Sequence, residues 1–433
     1  MKLNDGQVNI LFEASILANG IYNDASRSGI YVVAYNIFKR ILKYDNIKLT
    51  LFCKYGKKEH LKNYLKEYFP NENFEIIIDQ PDNFVCNSYI KLKELRDELK
   101  NKKSKWKDLL QLCLLPLSLI SNSLETLYLK NLNVSGYDAF LSLFDTIPTL
   151  ISSKKIKKFT FLHDTIPLLF PDITQNANGK RGWFKILTDS LCKEDYYFAN
   201  SENTKNDFIK HYKNLDASKI KTILLACDEK FKPINNDEIS KAKAKYDIPS
   251  DKKYVFSLCT LEPRKNLKRA VKTFIQFIKK NNIDDLVFVL GGGQWDKFVS
   301  ILEQEIKNLG DYKNKIIKAG YIDDEDLPAL YSGAEWFVYT SQYEGFGLPP
   351  LEAMSCGCPV VTSNNSSLPE VVDNAGIMID FDSDEQHINA YEKYYYSEDL
   401  RKENALKGIK QAKIFSWDKC TNEIVKELVA NNV

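Results

Sequence analysis

The feature that most constrains this chain is the alternation of short apolar runs with amphipathic helical stretches. In the C-terminal half the candidate strands are Tyr254–Thr260, Leu286–Leu290, Ile316–Ala319, Trp336–Thr340, Pro359–Ser363 and Gly376–Asp380. Between them lie helical stretches such as Asn266–Lys280 and Lys297–Leu309. A strand that is apolar throughout must be covered on both faces, which points to a parallel sheet with helices on either side. The N-terminal half repeats the alternation less cleanly. Its candidate strands are Val8–Phe12, Leu49–Cys53, Phe74–Ile78, Ala139–Ser142, Lys158–Phe161, Tyr196–Ala199 and Ile220–Leu225. Its candidate helices are Gly29–Leu42, Lys57–Tyr68, Phe184–Cys192 and Ser201–Tyr212.

The reading is an α/β protein of two tandem Rossmann-like, doubly wound domains. The stretch Ala226–Pro249 is polar, carries two prolines and one helical segment, and joins the halves. A boundary near residue 235 gives domains of 1–235 and 236–433. The last helix is expected to pack back on the first domain. Ligands of such sheets sit beyond the carboxyl ends of the strands, so the expected site is the cleft between the domains.

Lys+Arg is 60 against Asp+Glu 58, a net charge of +2, so no global basic excess argues for nucleic acid. Nine cysteines are scattered without a CxxC pair and read as mostly buried, reduced thiols. The start of the chain lacks a signal-peptide pattern, and no unbroken apolar run of about 18 residues occurs, so the expectation is a cytoplasmic protein without a spanning helix. One segment breaks the alternation. Residues 91–110 hold eight basic and four acidic residues and lead into the apolar run 109–120, interrupted by Pro116. It reads either as a surface helix leading into a core helix, or as a peripheral contact with anionic membrane through residues 91–120.

The most informative stretch is Thr340–Asn364, TSQYEGFGLPPLEAMSCGCPVVTSN. It starts at the end of a strand and turns through Gly345 and Gly347. A helix is predicted to start near Pro349 or Pro350, where proline suits the first turn. The N–H groups of Gly345, Phe346, Gly347 and Leu348 would then face a ligand at a positive helix end. Glu344 and Glu352, eight residues apart, could both bind hydroxyls of that ligand. The acidic run Asp323–Asp326 reads as a helix cap rather than a metal site.

This E-x7-E spacing resembles the signature of retaining GT-B glycosyltransferases, family 4, the group 1 glycosyltransferases. Other segments agree: TLEPRKNL at 260–267, LGGG at 290–293, the strand-to-helix junction 320–330, SLPEV at 367–371 and FSWD at 415–418. In the N-terminal half the likeness rests on SGIYVVAYNI (28–37), FLHDTIPL (161–168), ANSENTKNDF (199–208) and CDEKF (227–231). The resemblance implies a metal-independent hexosyltransferase without a cofactor, using a nucleotide sugar, GDP-mannose or a UDP-sugar. The implied acceptor is a hydroxyl of a glycan or lipid-linked acceptor in surface polysaccharide synthesis (O-antigen, capsule or lipopolysaccharide). It assigns Glu352 to the ribose hydroxyls and Glu344, with the backbone of Gly345, Phe346 and Gly347, to the transferred sugar. Arg264 and Lys265 are assigned to the diphosphate, His163 to the donor sugar near its reacting carbon, and Gly29 to the N-terminal loop beside the diphosphate.

The chain departs from the pattern at Cys259, where a glycine is usual and some relatives carry an arginine, and in SRSGI, which has a single glycine; Arg27 is expected to add to the charge there. Replacing Glu344 or Lys265 by alanine is expected to remove transfer while leaving the fold intact. The competing readings are a GT-B-like nucleotide-sugar epimerase, a phosphorylase, and a catalytically silent nucleotide-binding subunit. A phosphorylase is disfavoured, since no lysine suited to anchoring pyridoxal phosphate is identified.

Overall fold

Apolar strands and covering helices build one all-parallel sheet in each half of the chain. The computed structural model describes residues 6–21, 29–101, 106–144, 147–148, 151, 156–174, 182–293 and 296–432. The N-terminal sheet contains β1 Val8–Glu13, β2 Ile47–Cys53, β3 Ile76–Ile78, β4 Ala139–Ser142, β5 Lys157–Leu162, β6 Tyr196–Ala199 and β7 Ile220–Thr222. Their order is β3-β2-β1-β4-β5-β6-β7. The C-terminal sheet contains β8 Lys253–Leu258, β9 Leu286–Gly291, β10 Ile316–Gly320, β11 Trp336–Tyr339, β12 Val360–Ser363 and β13 Ile377–Ile379, in the order β10-β9-β8-β11-β12-β13. Every residue of β4, β9, β11 and β12 is buried, as a sheet covered on both faces requires. The two sheets and their helices form the GT-B architecture of two facing α/β domains.

The helices that matter below are α1 Gly29–Ile41, α2 Phe84–Asn101, α3 Trp106–Asn131, α4 Glu202–His211, α5 Leu267–Lys280, α6 Leu348–Ser355 and α7 Trp417–Ala430. Residue 235 lies between β7 and β8, at the N-cap of a helix spanning Asn236–Lys245. Helix α7, at the end of the chain, returns to the first domain and packs on α1, where Arg40 Nε meets Asp418 at 2.9 Å. The edge strands β3, β7 and β13 are shorter than their apolar runs. Ile223 and Leu225, for example, are buried beyond the last ladder residue of β7. Hydrophobicity records burial, whereas an edge strand ends where its single neighbour stops pairing.

Helices α2 and α3 pack against each other as a hairpin, which corrects the reading of the second as a core helix. Among the described side chains of α3, only Leu114, Ser121 and Leu129 are buried, while Leu112, Leu115, Leu119, Ile120 and Leu127 are exposed. Its apolar residues are spread around the helix, so the sequence run hid which side faces solvent. By length and composition, Leu110–Asn131 is long and apolar enough to cross a membrane, although polar residues interrupt the unbroken run sought in the sequence. Residues 102–105 of the basic stretch lie outside the described residues. The cysteines are free thiols and mostly buried, as read from the sequence. Six cysteines are buried, but Cys113 is exposed on α3, and Cys192 and Cys227 are partly exposed.

Candidate active site

Strands β8 and β11 are neighbours at the point where the C-terminal strand order reverses. The loops after them therefore emerge side by side, the geometry that opens a ligand crevice in such sheets. The loop after β8 runs through a 3-10 turn, Pro263–Lys265, and a left-handed Asn266 into α5. The loop after β11 carries Glu344 and the glycine bend into α6. Facing them from the N-terminal domain are the start of α1 and the segment after β5. Between the domains lies a cavity of about 670 Å³. Its lining includes Gly29, His163, Arg264, Lys265, Glu344, Gly345, Phe346, Gly347, Leu348 and Glu352, so these ten candidate site residues reach one space. Gly292 and Gly293 line it too, while Arg27 lies outside the described residues.

The bend has its carbonyls occupied from behind. Ser367 Oγ donates to the carbonyls of Glu344 at 3.0 Å and Phe346 at 2.6 Å. Ser201 Oγ and Thr204 Oγ1 donate to the Gly345 carbonyl at 2.8 and 3.1 Å. Among the described residues nothing accepts from the N–H groups of Gly345, Phe346 or Gly347, all of which line the cavity. Gly347 sits at φ +122°, backbone that a side chain would strain. Gly345 has no space for a side chain, because a Cβ there would fall on the His163 carbonyl oxygen of the other domain. Helix α6 starts at Leu348, next to Pro349, with proline in its first turn as expected. Unengaged N–H groups at a helix start make a site for anionic or hydroxyl oxygens.

Glu344 lies in a buried ionic cluster. Its Oε1 is 2.8 Å from Lys265 Nζ and 3.0 Å from Arg264 Nη1. Lys265 Nζ also donates to the Tyr339 hydroxyl at 2.7 Å, and Arg264 pairs with Glu262 and the Tyr343 carbonyl. Burial alone would raise the Glu344 pKa, but Lys265 and Arg264 outweigh it and hold the carboxyl down at about 2. The two cations are therefore balanced by Glu262 and Glu344 rather than forming a solvated pair at a helix start. Arg264 is only 5% exposed, and its Nε is buried without a partner. Glu344→Ala would remove one member of this buried cluster, so a loss of stability on the order of 3–5 kcal/mol is expected beside the loss of transfer.

Glu352 also lines the cavity and, among the described residues, meets no cation at hydrogen-bond distance. Its Oε2 accepts from the buried Tyr331 hydroxyl at 3.0 Å. Burial pushes its carboxyl up to about 7, against the lowering by Tyr331 and the more distant Lys230, with Asp324 and Asp228 adding to the rise. Cys227 lines the cavity nearby, with its Sγ 3.0 Å from Ser355 Oγ.

His163 Nε2 is 2.6 Å from the Leu143 carbonyl. A carbonyl only accepts, so Nε2 carries the proton and Nδ1 keeps its lone pair. Burial pushes the imidazole down to about 4, leaving it neutral at physiological pH. The bond goes to backbone, not to Asp164, yet the residue still lines the cavity. Asp164 also lines the cavity, with its carboxyl pushed up to about 6, chiefly by burial. Sequence reasoning missed Tyr331, Tyr339, Tyr343 and Glu262. Nothing in their local pattern separates them from core tyrosines or a surface acid. The acidic run is not a helix cap: Asp326 occupies the N-cap position, but it and Asp323 pair with Lys245 at 2.6 and 2.7 Å, which leaves the Asp326 carboxylate engaged away from the helix.

Residues 238–411 match the family described as glycosyl transferases group 1. That match lies within the C-terminal half of the chain. The match covers the group 1 domain from the helix at Asn236–Lys245 to the end of the Glu398–Ala412 helix, and so includes Arg264, Lys265, Glu344 and Glu352. Over 242 residues the chain is 36% identical to O-antigen chain mannosyltransferase B of Escherichia coli, covering 56% of this chain and 62% of that one. Over 260 residues it is 28% identical to the serotype-specific mannosyltransferase WbdA of Escherichia coli, covering 59% of this chain and 31% of the relative. The chain thus spans under two thirds of the length of these relatives. In three dimensions it is similar to Anabaena HepE in complex with UDP and glucose, with a TM-score of 0.67 at 18% identity over 98% of this chain and 100% of the other. That likeness carries the fold and extends it over the N-terminal domain, beyond the group 1 match.

Proposed function

We propose that this protein is a retaining hexosyltransferase that moves mannose from a nucleotide sugar to a hydroxyl of a glycan or lipid-linked acceptor in surface polysaccharide synthesis. The observation that carries the reading is the bend Glu344–Gly347. Its carbonyls are tied off behind it, its N–H groups line the interdomain cavity, and a carboxylate and two cations stand beside it. Mannose is favoured because the relatives are named as mannosyltransferases, with GDP-mannose as first donor and a UDP-sugar as the alternative.

In this reading Glu352 accepts from the ribose hydroxyls through the carboxylate oxygen that Tyr331 does not engage. Arg264 and Lys265 supply the charge that stabilises the departing nucleoside diphosphate, a role that fixed cations in a water-poor site fill without a metal ion. When the diphosphate enters, Lys265 can exchange part of its pairing with Glu344 for phosphate oxygen, freeing Glu344 to accept from sugar hydroxyls. Neutral His163 offers the Nδ1 lone pair to a hydroxyl of the donor sugar. Gly29 lets the start of α1 approach the diphosphate. The bond from the anomeric carbon to the phosphate oxygen breaks as the bond to the acceptor oxygen forms on the same face. The acceptor proton passes to the leaving phosphate oxygen. The protein works in the cytoplasm, and the exposed leucines of α3 with the lysines of 91–110 rest on the inner membrane face.

The test is a panel of nucleotide sugars screened by thermal shift, since a ligand that binds only the folded state raises its melting temperature. Transfer to a glycan acceptor is then followed with the best binder. GDP-mannose is expected to give the largest shift and a new α-linked product. Conversion of the donor without any acceptor would establish the epimerase reading instead, and binding without turnover the silent subunit. Co-sedimentation with vesicles containing anionic lipid tests the membrane contact, and no binding to such vesicles would remove it.

A further inference from the structure

The two halves of the cavity are joined by a polar seam centred on the first turn of α4. Ser201 caps this helix, accepting from Thr204 N–H at 3.0 Å, and its hydroxyl donates across the cleft to the Gly345 carbonyl. Thr204 carries a single hydroxyl proton, which lies between two carbonyls, Gly345 at 3.1 Å and His163 at 3.4 Å. Asn200 Nδ2 holds the same His163 carbonyl at 2.7 Å. From the C-terminal domain, both carboxylate oxygens of Glu370 accept from the N–H groups of Glu202 and Asn203, each at 2.8 Å. Beside them the Tyr343 hydroxyl donates to Asp207 at 2.6 Å.

Three facts separate this seam from ordinary domain packing. It touches the backbone of both His163 and Gly345, and neither has side-chain freedom to make up for a shift: the Gly345 backbone lies against the His163 carbonyl without space for a methyl group. It is polar where a permanent junction would be apolar, and the N–H groups at the start of α4 can exchange Glu370 for water at little cost. It also places a carboxylate at the positive end of a helix, an attraction that depends on the domains being closed.

We infer that Ser201 and Thr204 of the first domain and Glu370 and Tyr343 of the second form a reversible latch that sets the alignment of His163 with the Gly345 bend. They are positioning residues: they hold the backbone of groups facing the donor and do not touch the reacting atoms themselves. The latch deepens the transferase reading. Its kinetic consequence rests on that reading, while its structural consequence does not.

The experiment compares the full chain with Glu370→Ala and Thr204→Val by nucleoside diphosphate titration, steady-state transfer and small-angle X-ray scattering. Circular dichroism verifies folding. If Thr204→Val fails to fold, the partly exposed Glu370 carries the comparison alone. The expected result is an affinity for nucleoside diphosphate within about twofold of the parent. The transfer rate should fall about tenfold in Thr204→Val, the loss of about 1.4 kcal/mol of transition-state alignment, and less in Glu370→Ala. The radius of gyration should rise in both when ligand is absent. Glu370→Gln, which keeps one strong acceptor, should restore part of the rate. Unchanged rate and unchanged scattering overturn the latch, and so does a loss of nucleotide affinity that parallels the loss of rate. If the parent chain transfers no sugar, the transferase reading falls, and scattering alone then decides the latch: larger dimensions support it and equal dimensions remove it.

Discussion

The surroundings of Glu344 and those of Glu352 treat the same side chain in opposite ways. Glu344 is gripped by Lys265 and Arg264 and held at about 2. Glu352 is buried with a tyrosine and its carboxyl rises to about 7. Both burials cost solvation, but only one is offset by cations. One site thus holds a carboxylate that is ionised at every working pH beside one that titrates in the physiological range. The difference suits two tasks. A permanently charged group can stand beside a diphosphate only if cations outnumber or share it, whereas a ribose diol needs an acceptor and no counter-charge. Environment rather than residue type divides the labour.

Breaking the Glu344 cluster should have the largest effect. Glu344→Gln is expected to lower transfer about a hundredfold or more, in line with loss of a fixed electrostatic contact to the reacting group. It should also lower the melting temperature, because Arg264 and Lys265 lose a partner. Steady-state kinetics and thermal unfolding measure the two effects, and wild-type turnover would remove Glu344 from the site. By comparison, Glu352→Gln should weaken nucleotide binding about tenfold, the scale of one charge-assisted hydrogen bond. Isothermal titration with the nucleoside diphosphate checks this, and an unchanged affinity would place the ribose elsewhere.

The contrast also predicts two opposed pH dependences. The folded value of Glu352 lies above its ordinary 4.5, so the folded state holds the proton more tightly than the unfolded chain. Its contribution to stability is therefore full below the ordinary carboxylate range and is lost as pH rises through about 7. Thermal unfolding should show the ligand-free melting point falling from about pH 5, with the slope fading between about pH 6 and pH 8 as the folded carboxyl ionises, and the slope should be weaker in Glu352→Gln. Nucleotide affinity should move the other way, rising across the same window as the carboxylate ionises, unless Glu352 does not meet the ribose. The smallest effect is expected from Tyr331→Phe. Removing the hydroxyl withdraws a hydrogen bond to the ionised form, so the titration moves upward, and affinity at pH 7 drops about twofold. A downward movement would show that the hydroxyl favours the protonated acid.

Legibility followed the same divide. Glu344, the glycines and Glu352 could be read because a strand end, a bend and a helix start leave a fixed spacing in the chain. Arg264 and Lys265 were assigned through the resemblance, but the anions that balance them were not legible. Those anions, Glu262 and Glu344, come from two loops that meet only because β8 and β11 are neighbours in the sheet. Tyr331 and Tyr343 were invisible because each acts through one hydroxyl placed by packing. Helix α3 stayed between two readings because a leucine-rich run looks the same whether its leucines face a core or the outside.

What the chain determined by itself was local and periodic. Strands, helices and turns follow from hydrophobic spacing and from the backbone freedom of glycine, and the two-domain α/β architecture follows from their alternation. Only the tertiary structure decided which charges pair, which carboxyl keeps its proton, and which hydroxyls of one domain hold the backbone of the other. Those outcomes depend on distances between residues as far apart as Ser201 and Gly345, which are brought together by folding and closure of the domains. Electrostatic and hydrogen-bond energies fall steeply with distance and with water, and neither quantity is written in the order of the residues.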